Sequence, residues 1–300
     1  MPKIISIFNQ KGGVGKTTTV INVGASLALM GKKVLLIDMD PQGNLTCGLA
    51  IDPEEVENKN VYLALVGAKK LHEAAIATTV KDLYIVPADT NLAGAEVELV
   101  ELSEREYRLK LSMGPELDSF DYVLIDCPPS LGLLTLNALT ASTSYLVPMQ
   151  SEFFSLQGFA SILNTVELVK AHLNPELKEE GILLTMFDSR SKLSKQVLSE
   201  IKGFAKDRLF STIVPRRIRL AESTSHGQPG IVYDAACFGA KSYMEVAREL
   251  VLRSQGIKVE QPALPTVIPP DPVDRFSKKA TQSEQAAPLE NKSAELRGDA

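Results

Sequence analysis

Residues 9–19, NQKGGVGKTTT, place three glycines, two lysines and three threonines directly after an apolar run. A glycine-rich turn between a strand and a helix directs backbone N–H groups at an anion, and the helix dipole favours negative charge there. In this pattern Lys16 reaches the β- and γ-phosphates of a nucleotide, the Thr17 hydroxyl binds Mg²⁺, and Thr18 contacts the α-phosphate. The residues that the pattern assigns to a bound nucleotide are Gly12, Gly13, Val14, Gly15, Lys16, Thr17 and Thr18.

The same loop departs from the standard phosphate-loop pattern G-x-x-x-x-G-K-[ST]. Counting back from Gly15, the first glycine should stand at position 10, and that residue is Gln10. The loop also carries a second lysine, Lys11, ahead of the usual one. The sequence therefore predicts a nucleotide-binding loop with an extra positive charge.

Two aspartate motifs supply the remaining parts of a phosphoryl-transfer site. Asp126, in DYVLIDCPPS, ends an apolar strand, where a carboxylate supports the Mg²⁺ shell. Asp40, in LLIDMDPQGN, lies on a loop after another strand and could orient an attacking water. Asp38 in the same motif is interpreted as a structural residue at the strand end. No [NT]-K-x-D guanine-reading string occurs, which favours ATP over GTP.

Short apolar runs alternate with amphipathic segments along most of the chain. The runs predicted to be strands are residues 4–8, KVLLID, LYIVPA, DYVLID, SYLVPM, ILLTMF and FSTIVP. Each is nearly continuous rather than alternating, as expected of strands that are covered on both faces. Helices are predicted from Lys16 towards Gly31 and over 158–171, 192–206 and 240–254. This pattern predicts an α/β fold of the P-loop type, with a mainly parallel twisted sheet, helices on both faces and ligands at the carboxyl ends of the strands.

Composition divides the 300 residues into two parts. Residues 1–258 are predicted to form one ATPase domain, and 44% apolar residues are enough for a full-sized core. Residues 259–300 are rich in proline and then polar, which predicts a disordered C-terminal tail. The chain has neither a signal pattern nor an apolar run close to the roughly 20 residues that span a bilayer, which predicts a cytoplasmic location. The three cysteines are widely separated and are interpreted as reduced, buried thiols.

Positive charge is concentrated in one segment of an otherwise acidic chain. The formal net charge is −5, yet residues 190–219 hold nine cations and two carboxylates, a local excess of +7. Such an excess is typical of a surface that binds the DNA backbone, although a solvated basic helix face would look the same. The nine cations are Arg190, Lys192, Lys195, Lys202, Lys206, Arg208, Arg216, Arg217 and Arg219.

Several motifs resemble those of a known protein family and follow one another in the order found in that family. KGGVGKTT with its early lysine, DMDPQGN and IDCPPS resemble the ParA/MinD family of deviant Walker A ATPases. QSEFFSLQG at 150–158, VPRRIRLAESTSHGQP at 214–229 and YDAACFGAKSYMEVARE at 233–249 are similar to its ParA branch, the Soj-like chromosome-partition ATPases. The resemblance implies ATP and Mg²⁺ as cofactors and a homodimer that forms on ATP. It also implies non-specific binding to double-stranded DNA, a ParB-type partner that stimulates hydrolysis, and a location on the nucleoid.

The resemblance also implies roles for individual residues. Lys11 would reach across a nucleotide-sandwich dimer to the partner's phosphates, as an arginine finger does in related enzymes. Gly12 and Gly13 would let the two backbones approach closely. Asp40 would be the hydrolytic aspartate, and Glu152 would help to order the dimer face around the nucleotide.

Two further groups of residues come from the same resemblance. Arg190 and Arg219 stand at positions where the family places DNA-contacting arginines, and Arg216 belongs to the same basic segment. Pro215 and Arg217 stand where the family commonly reads P-R-N near the adenine, so base recognition in this chain departs from the family pattern.

Three alternatives remain at the level of sequence. A MinD-like membrane-bound ATPase calls for a C-terminal amphipathic helix, whereas this tail offers prolines and DRFSKKATQSEQ. An electron-transfer ATPase resembling the nitrogenase iron protein needs cluster cysteines, and Cys127 has no convincing second ligand among Cys47 and Cys237. A ParA-like ATPase that positions a protein cargo would have the same core.

Overall fold

The structure is a computed structural model that describes residues 1–152, 155–257 and 259. Seven strands form one sheet in the described residues, and they are β1 (Lys3–Ile7), β2 (Val34–Asp38), β3 (Ile76–Ala77), β4 (Leu83–Val86), β5 (Tyr122–Asp126), β6 (Ser144–Gln150) and β7 (Lys178–Thr185). Their order across the sheet is β3-β4-β2-β5-β1-β6-β7. Every neighbouring pair is parallel except β3 and β4, which are antiparallel.

Helices connect the strands and cover the sheet. The α-helices of the described residues are α1 (Lys16–Leu29), α2 (Asn44–Cys47), α3 (Pro53–Asn58), α4 (Val61–Leu65), α5 (Leu92–Glu98), α6 (Arg108–Ser112), α7 (Leu133–Ala141), α8 (Ser155–His172), α9 (Lys192–Ala205), α10 (Ile218–Ser225), α11 (Gly230–Tyr233) and α12 (Phe238–Ser254). Short 3₁₀ turns occur at Leu71–Ala74, Leu99–Glu101, Pro115–Ser119 and Lys206–Arg208. None of the helices in this part of the chain is long and apolar enough to cross a membrane.

Alternate residues of the central strands enter two separate cores. In β2, Leu35 and Ile37 join the core on one face of the sheet, while Val34 and Leu36 join the core on the other. All four side chains are fully buried. The continuous apolar runs of the sequence therefore correspond to strands with both faces covered, as predicted, and the mainly parallel α/β fold is confirmed.

One predicted strand, FSTIVP at 210–215, is wrong. This segment forms no continuous strand, although it runs beside β7 through isolated bridges at Ile182–Leu209 and Phe187–Pro215. The backbone N–H groups of Phe210 and Val214 donate to the carbonyl oxygens of Ile182 and Leu184 at 2.8 and 2.9 Å. Glu249 of α12 binds the N–H groups of Ser211 and Thr212, at 2.9 and 3.1 Å, which removes two donors that a strand would use for pairing. Its apolar side chains enter both cores, since Phe210 and Val214 lie in the core that contains α12 residues and Ile213 lies in the other.

The two edges of the sheet also differ from the sequence prediction. The short antiparallel strand β3 was not predicted, since two residues give no periodic signal. At the other edge, β7 begins at Lys178, four residues before the predicted run ILLTMF at 182–187, and it ends at Thr185, two residues before that run ends. The next residue, Met186, has a positive φ of 51° and turns the chain out of the strand. The predicted tail 259–300 lies outside the described residues apart from residue 259, so the domain boundary stays a prediction.

Candidate functional site

The phosphate-binding loop connects the end of β1 to the start of α1. Gly15, the N-cap residue of α1, has φ 86°, and Gly13 has φ 71°, so both adopt the left-handed conformation that favours glycine. A Cβ atom added at Gly12 or Gly13 would meet no other atom within 4 Å. These two residues therefore leave open space directly in front of the loop, where an anion can approach the backbone.

Side chains from the ends of β6 and β7 fix the direction of the loop peptides. Gln150 donates from Nε2 to the carbonyl oxygen of Gly13 at 2.7 Å, and Thr185 donates from Oγ1 to the carbonyl oxygen of Val14 at 2.7 Å. The C=O and N–H of a trans peptide point in opposite directions. Holding these carbonyls against the sheet thus turns the N–H groups of Val14 and Gly15 away from it, as anion binding requires.

Gln10, which replaces the first glycine of the standard pattern, anchors the loop to α8. Its Nε2 donates to Oγ1 of Thr165 at 3.0 Å, and its Oε1 accepts a hydrogen bond from Oγ of Ser161 at 2.9 Å. A glycine could make neither bond. The sequence pattern identified the substitution but not its partners, which lie about 150 residues away in the chain.

Lys16 lies inside the site rather than at its surface. The residue is buried, and its Nζ donates to the carbonyl oxygen of Lys11 at 3.2 Å. Burial lowers the pKa of Lys16, while the nearby carboxylates of Asp126 and Asp40 act in the opposite direction. The ammonium is thus surrounded by the loop and by the two predicted functional carboxylates, in the position from which it can bind a phosphate group.

Asp126, at the end of β5, is the candidate metal ligand. It is buried, and neither of its carboxylate oxygens has a hydrogen-bond partner among the described residues. Burial raises the pKa of Asp126 well above its ordinary value and Asp38 raises it further, while the nearby Thr17 hydroxyl and Lys16 lower it. An unpaired carboxylate beside a hydroxyl offers the oxygen ligands that Mg²⁺ prefers, and phosphates and waters usually complete such a shell. Asp126 and Thr17 therefore fit a Mg²⁺ site.

Asp38 and Asp40 have different environments although only one residue separates them. Asp38 is fully buried and accepts hydrogen bonds from the backbone N–H of Thr46 at 2.9 Å and from its hydroxyl at 2.7 Å. Burial is the main cause that raises the pKa of Asp38 to about 6. Asp40 lines the open pocket instead, and its Oδ1 accepts from the backbone N–H of Gln42 at 3.0 Å. Asp38 thus has a structural environment, and Asp40 faces the space where a nucleotide would lie.

A cavity of about 510 Å³ lies in front of the loop. Its predicted lining residues are Gly12, Gly13, Gly15, Lys16, Thr17, Thr18 and Asp40. The sequence did not identify the others, which are Gln42, Asn44, Cys47, Gly48, Pro129, Met186, Thr224 and Ser225. Cys47 is exposed here, so the expectation that all three thiols are buried is wrong, although Cys127 and Cys237 are buried and all three are free.

Lys11 and Glu152 meet each other outside this cavity. The Lys11 ammonium forms an ion pair with the Glu152 carboxylate, and both side chains are exposed. The backbone N–H of Lys11 donates to Oδ1 of Asn9 at 2.9 Å. The extra cation of the loop therefore points to the protein surface and not to the space in front of Lys16.

The predicted adenine contacts do not line this cavity either. Pro215 forms a backbone bridge with Phe187, and Arg217 lies at the N-cap of α10 with its guanidinium 6.0 Å from the ring centre of Phe238. Thr224 and Ser225 of the same helix do line the cavity. The structure therefore brings the far end of α10, rather than its start, to the site.

Ion pairs neutralise several cations of the basic segment, residues 190–219, that the sequence alone shows as free charge. Arg190 forms an ion pair with Asp188 at 3.0 Å, and Arg219 forms one with Glu222 at 3.0 Å. The segment also contains Arg208, which pairs with Glu179 of β7. The exposed cations of the segment that have no ion pair among those the structure gives are Lys192, Lys195 and Arg216.

The parallel sheet, the left-handed glycine at the start of α1, the buried lysine and the strand-end aspartate define a P-loop nucleotide-binding protein. Residues 2–179 match the family model described as an AAA domain. The chain is 52% identical to the sporulation initiation inhibitor protein Soj of Bacillus subtilis over 83% of this chain and 98% of that protein. It is 50% identical to the chromosome partitioning protein ParA of Myxococcus xanthus, over 84% and 88% of the two chains. The chain therefore belongs to the Soj-like branch of the ParA/MinD family of deviant Walker A ATPases.

Solved structures agree in fold. A protein of Mycobacterium smegmatis, described as cobyrinic acid a,c-diamide synthase with bound ADP and magnesium, is 37% identical over 88% of this chain and all of its own, with a TM-score of 0.75. A putative plasmid partition protein of Borrelia burgdorferi bound to AMPPNP is 26% identical over 85% of this chain and all of its own, with a TM-score of 0.71.

Proposed function

We propose that this ATPase is a nucleotide-controlled DNA-binding switch of chromosome partition. ATP and Mg²⁺ are its cofactors, and its reaction is the hydrolysis of ATP to ADP and phosphate. Two ATP-bound copies pair face to face, the pair binds double-stranded DNA without sequence preference on the nucleoid, and hydrolysis separates the copies and releases the DNA. A ParB-type partner accelerates hydrolysis.

The position of Lys11 carries this proposal. A lysine that served only its own nucleotide would point into the cavity, as Lys16 does. The Lys11 ammonium instead lies at the surface on the Glu152 carboxylate. From there it can reach the phosphates of a second subunit, once the exposed ion pair with Glu152 is exchanged. Exposed ion pairs contribute only about 0–1 kcal/mol, so this exchange costs little.

The residues inside the cavity have separate roles in the proposed reaction. Lys16 and the N–H groups of the loop bind the phosphates, and Thr17 and Asp126 hold Mg²⁺, which neutralises charge that develops on the phosphoryl oxygens. Asp40 faces the end of the cavity and orients the attacking water. Asp38 supports the loop between β2 and α2 through its bonds to Thr46.

DNA binding is assigned to the exposed cations of the basic segment. The available positive charge comes from three exposed side chains that form none of the ion pairs described above. They are Arg216 and, in the first turns of α9, Lys192 and Lys195. Arg190 and Arg219 contribute after exchanging their carboxylate partners for phosphates. Pairing two copies doubles the number of phosphates that are neutralised, and affinity for DNA rises steeply with that number.

The test is binding of random-sequence duplex DNA with ATP, with ADP and without nucleotide, at two salt concentrations. We expect DNA binding in the presence of ATP and neither with ADP nor without nucleotide. Higher salt should weaken this binding, and Arg216→Glu should weaken it at least about tenfold. Arg248→Glu, a charge reversal at an exposed arginine of α12, should bind like the wild type and serves as the matched control. Absence of ATP-dependent DNA binding at low salt would refute the switch.

A further inference from the structure

Apolar side chains are exposed to solvent on a second surface of the molecule. Val97 and Val100, on α5 and the 3₁₀ turn that follows it, are 75% and 52% exposed, and Leu131 is 49% exposed. Carboxylates surround them, and we call this set the acidic apolar face, which comprises Glu96, Val97, Glu98, Val100, Glu101, Leu102, Glu104 and Leu131. Exposed apolar groups with a polar rim are typical of a surface that binds another protein.

The segment 89–106, which supplies every residue of this face except Leu131, concentrates negative charge as the basic segment concentrates positive charge. Residues 89–106 hold six carboxylates and one arginine, a net charge of −5, which equals the net charge of the whole chain. Only part of that charge is paired, by Arg105 with Glu106. The face therefore complements a partner that carries both apolar side chains and excess positive charge.

The acidic apolar face is physically continuous with the nucleotide site. Glu96 packs directly against Gly132, so closely that a Cβ at Gly132 would overlap its carboxylate. Gly132 ends the loop that begins after Asp126, and Pro129 in the middle of that loop lines the nucleotide cavity. A protein seated on Val97 and Leu131 would contact this loop at its Gly132 end.

We propose that the acidic apolar face docks a lysine- or arginine-rich amphipathic segment of a partner protein. Contact there acts on the loop between Asp126 and Gly132 and thereby on the Mg²⁺ ligand and the cavity wall. The docking surface follows from the described residues themselves, and its effect on hydrolysis rests on the proposed function. A second copy of this chain is a poorer occupant, because a two-fold contact through this face would bring two segments of charge −5 together.

The probe is a fluorescent 18-residue helical peptide of leucine and lysine, compared with the same peptide in which glutamate replaces lysine. Fluorescence anisotropy with the full chain measures the dissociation constant at about 0.1 M salt. We expect the lysine peptide to bind, the glutamate peptide not to bind, and the variant Val100→Ser/Glu101→Lys to bind the lysine peptide at least tenfold more weakly. Val97→Ser alone should weaken binding by a smaller factor.

The matched control is Leu168→Ser/Glu167→Lys on α8, which changes an exposed leucine and its neighbouring carboxylate outside this face. Equal loss of peptide binding in both double variants, or no binding of the lysine peptide to the wild type, would overturn the docking surface. Normal peptide binding by Val100→Ser/Glu101→Lys together with loss of ATP-dependent dimerisation in light scattering would show a self-association surface instead. ATP turnover without peptide tests the proposed function separately, since it should be present in the wild type and in every variant.

Discussion

Replacing Asp126 by asparagine should stabilise the protein when it holds neither nucleotide nor Mg²⁺. Asp126 and Asp38 are both buried; burial is the main cause that raises the pKa of Asp126, and Asp38 raises it further. For Asp38 the pKa rises from 3.8 to about 6, and one pKa unit corresponds to about 1.4 kcal/mol, so its ionisation alone disfavours the folded state by about 3 kcal/mol at neutral pH. Asp126→Asn removes one buried charge and its repulsion of Asp38 while it keeps the shape of the side chain. The pKa of Asp126 is raised by the same main cause as that of Asp38, so we expect a gain of similar size, on the order of 2 kcal/mol, in the free energy of unfolding at pH 7.5.

The pH dependence of this effect has a definite sign. A carboxyl whose pKa is raised by folding binds more protons in the folded than in the unfolded state, so its contribution to stability is lost as the pH rises through its folded-state pKa. Since folding raises the pKa of Asp126, the difference between Asp126→Asn and the wild type should be small near pH 4 and grow as the pH rises.

Urea unfolding in EDTA, followed by circular dichroism at several pH values, measures this difference. Asp118→Asn, which removes an exposed carboxylate, is the control and should change stability little at any pH. Adding ATP and Mg²⁺ should then stabilise the wild type and not Asp126→Asn. An asparagine variant that is less stable than the wild type at pH 7.5 without ligand would refute the charge argument.

Three further substitutions test the loop and its surroundings. Lys11→Ala should bind ATP normally in calorimetry yet remain monomeric in light scattering, and a normal ATP-dependent dimer would exclude the proposed contact in trans. Asp40→Ala should lower the ATP hydrolysis rate at least about 100-fold while ATP-dependent DNA binding persists, and rapid turnover in a phosphate-release assay would remove Asp40 from catalysis. Gln10→Gly restores the standard pattern but loses the bonds to Ser161 and Thr165, so it should lower the free energy of unfolding by about 1–3 kcal/mol in urea melts, and an unchanged value would show that this anchor is dispensable.

Local patterns were sufficient to predict the centre of the molecule. Lys16, Thr17 and Asp126 could be placed because a strand, a glycine turn and a helix fix their relative positions within a few residues, and the structure brings them together as expected. The central strands were predictable for the same reason, since burial on both faces leaves a continuous apolar run.

The features that the sequence analysis did not show depend on residues outside the segments it considered. FSTIVP has the composition of a strand, but Glu249 of α12 accepts hydrogen bonds from the N–H groups of Ser211 and Thr212, and no local signal in 210–215 shows this. The nucleotide contacts that the resemblance implies at Pro215 and Arg217 stay a prediction, while the cavity is lined by Thr224 and Ser225, about two turns after Arg217 in α10. Two predicted DNA contacts, Arg190 and Arg219, are paired with carboxylates that stand close to them in sequence, and counting charges over 190–219 left Asp188 and Glu222 out.

The way in which Gln150 and Thr185 hold the loop has a consequence for efforts to build minimal nucleotide binders. Both side chains come from strands that lie beyond the strand–loop–helix unit in sequence, and each occupies a carbonyl that would otherwise be free to turn. An excised peptide of residues 1–30 would keep every residue of the phosphate-binding pattern and lose both restraints. Its carbonyl oxygens could then rotate towards the incoming phosphate and repel it. In this chain the capacity to bind an anion is a property of the whole sheet, and a graft of the loop onto another scaffold should carry surrogates for Gln150 and Thr185 along with the glycines.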